Sequence, residues 1–499
     1  MHLIHAIFLV LLVGIFDENV NGDVTNNRYR LNYHIQPPSG WMNDPDGLSY
    51  FNGQYHVFYQ YNPYSSNWGA PHWGHVASTD LVHWKNLPIA LTPGDPYDKD
   101  GCFSGSAVVN GNELVLVYTG NVNTANGFTQ TQNIATSKDG VTFTKYSGNP
   151  VLANPPVDGT KDFRDPKVWL SIYGSQNGTW NMVVGNPSVA VNNPYMNSYG
   201  RVVLYQSNDL KTWTYLGGLA EEQNAEQNLG YMWDDPNFFY LNGKYVLLVS
   251  PAGIERDIDR FANLNQNGYF IGDYRPSTNL FSRGQFYELD NGHDFFAAHV
   301  FEDPTGRRIV IGWMQMWGSW MREQVDGWAG ALTIPRELSL SSDGTRLQMA
   351  PVAELTSLRG SQYINSPINV NGEYDTNIPI GSSEVLFDVV LAGVRARKVG
   401  LKFPIDDGEL ELYYDTQNQT LVLSRNKDIR QVAISNISVL NLRIFLDRSS
   451  IEVFANNGTV TMTSRFYVDW IPIVTLFTDN GESGAARVNV QAFSLNNIW

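Results

Sequence analysis

Acidic residues beside proline are the features of this sequence most able to do chemistry. Asp44, Asp165 and Asp235 each directly precede a proline, and Asp234 stands one residue earlier. A single Asp-Pro pair is typical of an Asx turn and needs no function. Several carboxyl groups in one pocket, however, shift one another's pKa values apart, so that one can attack as a nucleophile while another donates a proton. The chemical interpretation therefore depends on whether the fold brings these segments together.

The elements that carry these acids are predicted by a repeated unit of strand, turn and strand. An Asn-Gly turn between apolar runs is the strongest short-range signal for a β-hairpin. A second pattern, Ser-x-Asp with an aromatic residue four positions later, occurs at 78–84, 137–143 and 207–213 and predicts an outer hairpin of the same unit. The inner turns, roughly 58 to 67 residues apart, are Asn52-Gly53, Asn110-Gly111, Asn177-Gly178, Asn242-Gly243 and Thr305-Gly306.

Five such repeats are typical of a five-bladed β-propeller around a central channel. The alternative is a β-sandwich with accidental turns, and the regular spacing favours the propeller. Equivalent positions of successive blades converge at one end of the channel, so acids at a similar distance before each turn should share a pocket. The acids roughly 8 to 12 residues before the five turns are Asp44, Asp100, Asp165, Asp234 and Asp294.

The repeat loses its phase near residue 355, which divides the chain. Residues 23–354 are predicted to form the propeller, and residues 355–499 contain short, closely spaced apolar runs that predict a separate β-sandwich. Residues 1–22 are predicted to be a signal peptide, because their apolar stretch is shorter than the roughly 20 residues that a membrane helix needs. We therefore expect a secreted protein. Glycosylation signals that fit secretion lie at Asn177, Asn418, Asn436 and Asn457.

Composition limits the partners. The chain has 33 Lys and Arg against 49 Asp and Glu, a formal net charge of −16, which argues against nucleic acid and anionic membranes and favours a neutral substrate. The nine His residues lack metal-ligand spacing and there is no phosphate-binding glycine loop, so neither a metal nor a cofactor is predicted. Cys102 is the single cysteine and excludes an intrachain disulfide. Oligomeric state is not predicted.

Side chains suited to a sugar accompany the acids. Trp41, Trp68, Phe103 and Trp313 would offer flat apolar faces to a sugar ring. Candidate partners for sugar hydroxyls are Asn43, Gln60 and Ser104. Arg164, next to Asp165, would keep that carboxylate ionised and fixed.

These segments carry a resemblance that covers the chain from about residue 30 to its end. The sequence resembles glycoside hydrolase family 32, the family of invertases, inulinases and levanases. The motifs that carry the resemblance are Trp41-Met-Asn-Asp-Pro-Asp-Gly47, Phe58-Tyr-Gln-Tyr-Asn-Pro63, His72-Trp-Gly-His75, Gly101-Cys-Phe-Ser-Gly-Ser106, Arg164-Asp-Pro166, Gly327-Trp-Ala-Gly-Ala-Leu-Thr-Ile-Pro-Arg336 and Asp447-Arg-Ser-Ser-Ile-Glu-Val-Phe454.

The resemblance implies a five-bladed propeller with a C-terminal sandwich, and a retaining β-fructofuranosidase that needs no metal. It implies that Asp44 is the nucleophile and that Asp165 holds fructose hydroxyls and stabilises the transition state. The third acid departs from the family, where a Glu precedes Cys-Pro, because this chain has Asp234-Asp235-Pro236. Asp234 would then be a shortened acid/base, with Asp235 as its possible substitute.

Other positions near the motifs also differ from the family. Asp46 stands where Asn is usual, Asn237 where Asp is common, and Ala298-His299 where Pro-Gln is usual. Either the site has been retuned or selection for catalysis has lapsed. Three functions stay open: a β-fructofuranosidase acting on sucrose or fructans, with activity that the shorter acid reduces; a silent fructan- or sucrose-binding relative; and a fructosyltransferase, in which a sugar replaces water as the acceptor.

Overall fold

The computed structural model describes residues 24–171, 178–189, 198–222, 229–257, 260–479 and 484–499. The predicted signal peptide and the glycosylation signal at Asn177 lie outside these ranges. The described residues are mostly β-strand, with 3-10 helices at Arg322–Asp326 and Ala353–Leu358. None of the helices in these ranges is long and apolar enough to cross a membrane.

The first two sheets follow the predicted repeat. An Asn-Gly turn joins the first strand to the second, and a Ser-x-Asp motif joins the third to the fourth. Asp80 accepts hydrogen bonds from the backbone N–H of Val82 and His83, which is the geometry of an Asx turn. The strands are β1 (Gly40–Phe51), β2 (Gln54–Asn62), β3 (His72–Ser78) and β4 (Trp84–Leu91), then β5 (Cys102–Asn110), β6 (Glu113–Thr124), β7 (Gly127–Ser137) and β8 (Thr144–Lys145).

The third sheet repeats this order around an inserted two-stranded ladder. Its strands are β9 (Arg164–Leu170), β10 (Trp180–Gly185), β13 (Arg201–Ser207) and β14 (Thr214–Glu221), and the ladder is β11 (Ser188–Val189) with β12 (Ser198–Tyr199).

In the fourth sheet, a short fifth strand also pairs with the third. The strands are β15 (Met232–Leu241), β16 (Lys244–Ala252), β17 (Gly268–Arg275), β18 (Leu280–Arg283) and β19 (Tyr287–Glu288). The fifth sheet is interrupted by β22 (Trp328–Ala329), which leaves it to pair in parallel with Gly40 and Trp41 of β1. Its own strands are β20 (Phe296–Glu302), β21 (Arg308–Trp313), β23 (Arg336–Leu340) and β24 (Leu347–Pro351).

The first strands of these sheets form a closed ring. β1 contacts β5, β5 contacts β9, β9 contacts β15, β15 contacts β20, and β20 returns to β1. Five sheets ordered in this way, counted over the described ranges, form a β-propeller whose innermost strands line the axis. The predicted all-β architecture of a propeller followed by a sandwich is confirmed.

The remainder of the chain forms two six-stranded antiparallel sheets. Their facing apolar side chains, such as Phe387, Leu401 and Leu412, are fully buried between them. One sheet contains β25 (Arg359–Val370), β27 (Ser382–Val390), β32 (Val439–Asp447), β33 (Ser450–Ala455), β34 (Val460–Arg465) and β36 (Ala486–Leu495). The other contains β26 (Glu373–Pro379), β28 (Lys398–Ile405), β29 (Gly408–Asp415), β30 (Thr420–Arg425), β31 (Asp428–Ala433) and β35 (Ile473–Thr478).

A buried ionic network joins the propeller to the sandwich. Arg336 on β23 donates to Glu452 Oε2 on β33 at 2.5 Å and to Asp290 Oδ2 at 2.9 Å. His34 lies between Glu452 Oε1 at 2.7 Å and Asp447 Oδ2 at 2.8 Å. Burial opposes ionisation of Glu452, but Arg336 and His34 still hold its pKa below the ordinary value. The Asp447–Phe454 motif therefore serves to fix the sandwich to the propeller.

Candidate active site

The same irregularity occurs in the inner strand of every propeller sheet. Regular pairing is broken around residues 43–44 of β1, 104 of β5, 165–166 of β9, 235–236 of β15 and 297–298 of β20. Each break gives the inner strand one more residue than its partner, which is a β-bulge and redirects the side chains there. The predicted catalytic acids lie at these bulges, or directly beside one, at a single end of the channel.

Three of the predicted acids gather around one guanidinium group. Arg164 Nε donates to Asp234 Oδ1 at 2.8 Å and lies 3.9 Å from Asp165 Oδ2. Arg164 also donates to Asp162 Oδ1 at 2.7 Å, which fixes the side chain from its other end. Asp44 is close enough for Asp234 to raise its pKa and for Arg164 to oppose that rise. Strands β1, β9 and β15 therefore deliver Asp44, Asp165 and Asp234 to one site.

Asp44 has one oriented oxygen and one free oxygen. Ser104 Oγ donates to Asp44 Oδ2 at 3.2 Å. Asp44 Oδ1 is buried and has no hydrogen-bond partner among the described residues. Burial raises the pKa of Asp44 to about 7; the neighbouring Asn43 amide opposes this rise, and the negative charge of Asp234 adds to it. A carboxylate held through one oxygen with the other left free is arranged for attack on an electrophile.

Asp165 is held by the main chain. Its own N–H donates to Thr119 Oγ1 at 3.0 Å, and the Asp235 N–H donates to its Oδ2 at 3.1 Å. Burial, followed by the charge of Asp234, raises its pKa to about 8, although Arg164 opposes this. The φ angle of 65° at Asp165 is unusual for a non-glycine residue, as is often found where a fold constrains a functional site.

The two neighbouring acids on β15 have different surroundings. The Asp234 side chain is 16 % exposed and faces Arg164; burial raises its pKa while Arg164 opposes the rise. The Asp235 side chain is buried, and its Oδ1 lies 3.2 Å from His299 Nε2. Burial and then the charge of Asp165 raise the pKa of Asp235 well above its ordinary value. Asp234 therefore faces the polar site, and Asp235 lies beneath it.

Gln60, predicted as a partner for sugar hydroxyls, uses its amide N–H groups inside the protein. It donates to Asp46 Oδ2 at 2.9 Å and to the Cys102 carbonyl at 3.0 Å. The other Asp46 oxygen accepts from the Gly105 N–H at 2.9 Å. These bonds join the first two blades beside Asp44, and burial raises the pKa of Asp46 well above its ordinary value.

The predicted aromatic residues fall into two groups. Trp68 is half exposed and meets Phe103 edge to face, with ring centroids 6.2 Å apart. Trp41 donates to Asn43 Oδ1 at 2.7 Å and stacks on Trp317. Trp313 is fully buried against Trp41 and Trp317, so it supports the aromatic wall from behind. Trp317, which the sequence argument missed, is only partly buried.

Two acids predicted for the cluster lie elsewhere, and that part of the prediction is wrong. Asp100 accepts a hydrogen bond from the Asn123 N–H in a surface turn at 2.7 Å. Asp294 is buried against the sandwich, where its Oδ2 accepts from the Arg465 N–H at 2.8 Å and pairs with Arg425. Asp100 and Asp294 both lie before the first residue of their inner strands, β5 and β20, whereas Asp44, Asp165 and Asp234 lie within theirs, at the bulge or directly beside it.

Residues that sequence reasoning missed include Asp162 and Tyr231. Asp162 binds the far end of Arg164, and its position two residues before Arg164 was the available signal. The phenol of Tyr231 is partly exposed and close enough to the site for Asp234 to raise its pKa, after burial as the larger cause. Within the described ranges there is no cluster of three or more His, Cys, Asp or Glu residues that could hold a metal ion.

Known proteins resemble the chain over nearly its whole length. Residues 34–351 match the N-terminal domain of glycosyl hydrolases family 32, and residues 354–494 match the C-terminal domain of the same family. Sucrose-6-phosphate hydrolase of Escherichia coli is 41 % identical over 452 residues, covering 88 % of this chain and 90 % of that protein. Raffinose invertase of Escherichia coli is 40 % identical, covering 87 % of this chain and 89 % of that protein.

A solved structure extends the similarity to the fold. A mutant of the Bombyx mori GH32 beta-fructofuranosidase BmSUC1 in complex with sucrose superposes with a TM-score of 0.85 at 38 % identity, covering 96 % of each chain. Both domain matches, the relatives and the superposition agree with the acid-lined site at the propeller mouth. The chain therefore belongs to glycoside hydrolase family 32 and is a glycoside hydrolase.

Proposed function

We propose that this chain is a retaining β-fructofuranosidase that releases terminal β-linked fructose from sucrose or short fructans. The observation that carries the proposal is the gathering of Asp44, Asp165 and Asp234 around Arg164, with Asp44 Oδ1 free of any hydrogen bond within the described ranges. Retaining glycosidases need one carboxylate to attack and a second carboxyl group to donate and then accept a proton. The complex of the Bombyx mori enzyme with sucrose supports this substrate class.

In the proposed reaction, Asp44 attacks the anomeric carbon of fructose while Asp234 protonates the glycosidic oxygen that leaves. A covalent fructosyl-enzyme forms, Asp234 then takes a proton from water, and that water releases fructose with retained configuration. Asp165 accepts hydrogen bonds from fructose hydroxyls and stabilises positive charge in the transition state. The aromatic wall of Trp41 and Trp317 and the rim formed by Trp68 and Phe103 would enclose the sugar ring.

Asp234 is proposed as the acid/base in preference to Asp235. The Asp234 side chain is partly exposed and its pKa is raised, both of which suit a proton donor. The Asp235 side chain is buried and bound to His299. Asp234→Asn should lower kcat/KM for sucrose far more than kcat/KM for an activated aryl fructoside, whose leaving group needs no proton in the first step. The aryl fructoside should give a burst of leaving group followed by slow turnover, because Asp234 also takes the proton from water in the second step. An equal loss of kcat/KM for both substrates would argue against Asp234 as the proton donor.

The nucleophile is tested by Asp44→Asn. Sucrose hydrolysis, measured as fructose release by the purified protein, should fall at least about 1,000-fold. Asp100→Asn is the matched control, since Asp100 lies in a surface turn and its amide could still accept from the Asn123 N–H. Equal rates for wild type and Asp44→Asn would reject the proposed nucleophile.

The substrate is proposed to be neutral sucrose, although several relatives are named for sucrose-6-phosphate. The net charge of −16 disfavours an anionic substrate, and Arg164 is already engaged by Asp162 and Asp234. Comparison of kcat/KM for sucrose and sucrose-6-phosphate tests this. A higher value for the phosphate ester would overturn the proposal. Trisaccharides formed at high sucrose would instead identify the chain as a transferase.

We also propose that the protein is secreted and glycosylated. Its support is the apolar N-terminal stretch predicted as a signal peptide, together with the exposed glycosylation signals at Asn418, Asn436 and Asn457. Expression with its own N-terminus in a eukaryotic secretory host should give a processed N-terminus in the medium and a mass that falls on deglycosylation. Retention inside the cells would contradict secretion.

A further inference from the structure

Asp235 is a buried carboxyl group that connects the active site to a histidine beneath it. Its main-chain N–H donates to Asp165 Oδ2 at 3.1 Å, and its side chain lies 3.2 Å from His299 Nε2. Both side chains are about 2 % exposed. Asp235 has a φ angle of 49°, so its placement in the bulge of β15 is held by its surroundings and not by backbone preference. A substitution of His299 can therefore alter the environment of Asp165 through a single intervening residue, Asp235.

The hydrogen bonds of Asn237 hold this connection in place. Asn237 Nδ2 donates to the Asp235 carbonyl at 3.1 Å and to the Ala298 carbonyl at 3.3 Å. Its Oδ1 accepts from the Val300 N–H at 3.0 Å. One amide thus ties the bulge of β15 to the bulge of β20. Asp235 and His299 are fixed opposite each other from two different blades.

The charged groups around Asp235 and His299 determine the protonation of this pair. The Asp235 carboxyl faces four other acids, Asp165, Asp44, Asp234 and Asp46, each of which disfavours a further negative charge. On its far side His299 faces Lys167, which donates to the Val300 carbonyl; burial and then the Lys167 charge lower the pKa of His299 well below its ordinary value. The shared proton therefore lies on Asp235, whose neutral carboxyl donates to the neutral imidazole. By accepting this hydrogen bond, His299 helps to hold Asp235 in its neutral form.

We propose that His299 is a positioning residue of the glycosidase reaction. His299 keeps Asp235 in a charge-neutral pair. In this way it fixes the hydrogen bond from the Asp235 N–H to Asp165 and the protonation of the acids above, Asp44 and Asp165. This inference rests on the proposed function. In His299→Gln the amide can donate an N–H to Asp235, which favours the ionised carboxylate over the neutral acid that the imidazole accepts from. Asp235 then ionises at a lower pH, and its charge raises the pKa of Asp44 and Asp165.

A double-mutant cycle in sucrose hydrolysis tests the proposal. His299→Gln should move the acidic limb of kcat/KM upward by about one pH unit. In an Asp235→Asn background, where position 235 cannot ionise, the same substitution should move the limb by less than a quarter of that shift. His83→Gln is the matched control, because His83 pairs with Asp80 at 2.8 Å on the surface; it should cause no shift.

Two outcomes would overturn the proposal: an unshifted acidic limb in His299→Gln, or an equal shift with and without Asp235. Thermal unfolding gives a readout that does not need activity. His299→Gln should lower Tm more at pH 8 than at pH 5, and Asp235→Asn should abolish that difference; an equal loss at both pH values would count against the pair. His299→Asn replaces His299→Gln if the latter does not fold. Absence of sucrose hydrolysis by the wild-type protein would reject the proposed function. The pairing of Asp235 with His299 would then be tested by the Tm values of the same variants at pH 5 and pH 8.

Discussion

Removing the Ser104 hydroxyl should move the acidic limb of the pH profile and leave the plateau rate nearly unchanged. Ser104 Oγ donates to Asp44 Oδ2, and this hydrogen bond favours the ionised carboxylate. Without it, the pKa of Asp44 rises above the value of about 7 that burial already gives it. Because the nucleophile must be ionised to attack, kcat/KM falls as the pH drops through this pKa. Ser104→Ala therefore loses activity at a higher pH than wild type.

The size of the shift follows from the length of the bond. Hydrogen bonds to charged groups contribute about 1.5 to 3 kcal/mol. The observed 3.2 Å is longer than the usual O–H···O separation of about 2.7 to 2.8 Å, so the lower end of that range applies. One pKa unit corresponds to about 1.4 kcal/mol. The acidic limb should move upward by about one pH unit.

The assay is kcat/KM for sucrose between pH 4 and pH 9. Ser104→Thr retains a hydroxyl and serves as the control, which should keep the wild-type limb. A shift below about 0.3 pH unit in Ser104→Ala, or an equal rate loss at every pH, would refute the assigned role of Ser104. The second result would mean that Ser104 contacts the sugar, as a partner for its hydroxyls.

Three other substitutions probe the site and the domain interface. Asp44→Asn should raise Tm at pH 8 but not at pH 4. The pKa of Asp44 in the folded protein is raised from 3.8 to about 7, so the folded state loses stability as the pH rises between these two values. Arg336→Met should lower the free energy of unfolding by about 3 to 5 kcal/mol, since it removes the guanidinium that neutralises two buried carboxylates, Asp290 and Glu452. Tm is compared with that of the exposed control Arg346→Met. Asp234→Glu should raise kcat for sucrose by up to about 100-fold, because the added methylene moves the proton donor about 1 Å or more towards the leaving oxygen. A large loss of kcat would mean that the pocket is fitted to the shorter Asp side chain.

The propeller could be predicted because its signals are local. A hairpin turn requires residues that tolerate positive φ, and Asn52 and Asn242 have φ angles of 49° and 45° at the predicted turns. The Ser-x-Asp motif likewise satisfies its own turn, as the Asp209 contacts with the N–H groups of Lys211 and Thr212 illustrate. Neither feature depends on distant residues. The number and order of the sheets followed from such turns.

Which acids belong to the cluster could only partly be predicted from the sequence. The prediction rested on the number of residues between each acid and the following hairpin turn, and that number does not include the effect of a bulge. Each inner strand contains a bulge, and an added residue reverses which face the following side chains occupy. Asp100 and Asp294 lie before β5 and β20 begin, where they bind Asn123 and Arg465, whereas Asp234 lies within β15 directly beside its bulge. A bulge depends on how the partner strand pairs, and the sequence of one strand does not contain that information.

The bulge also explains why the sequence alone left both Asp234 and Asp235 as candidates for the acid/base. Asp44, Asp165 and Asp235 each directly precede a proline at the bulge of their blade, so Asp235 occupies the position that delivers an acid in two other blades. Because β15 has one residue more than β16 across this bulge, Asp234 can face Arg164 while Asp235 still packs towards the axis. Position in the repeat therefore does not decide which acid reacts. The partner does: Arg164 holds Asp234 at the polar site, and His299 holds Asp235 beneath it.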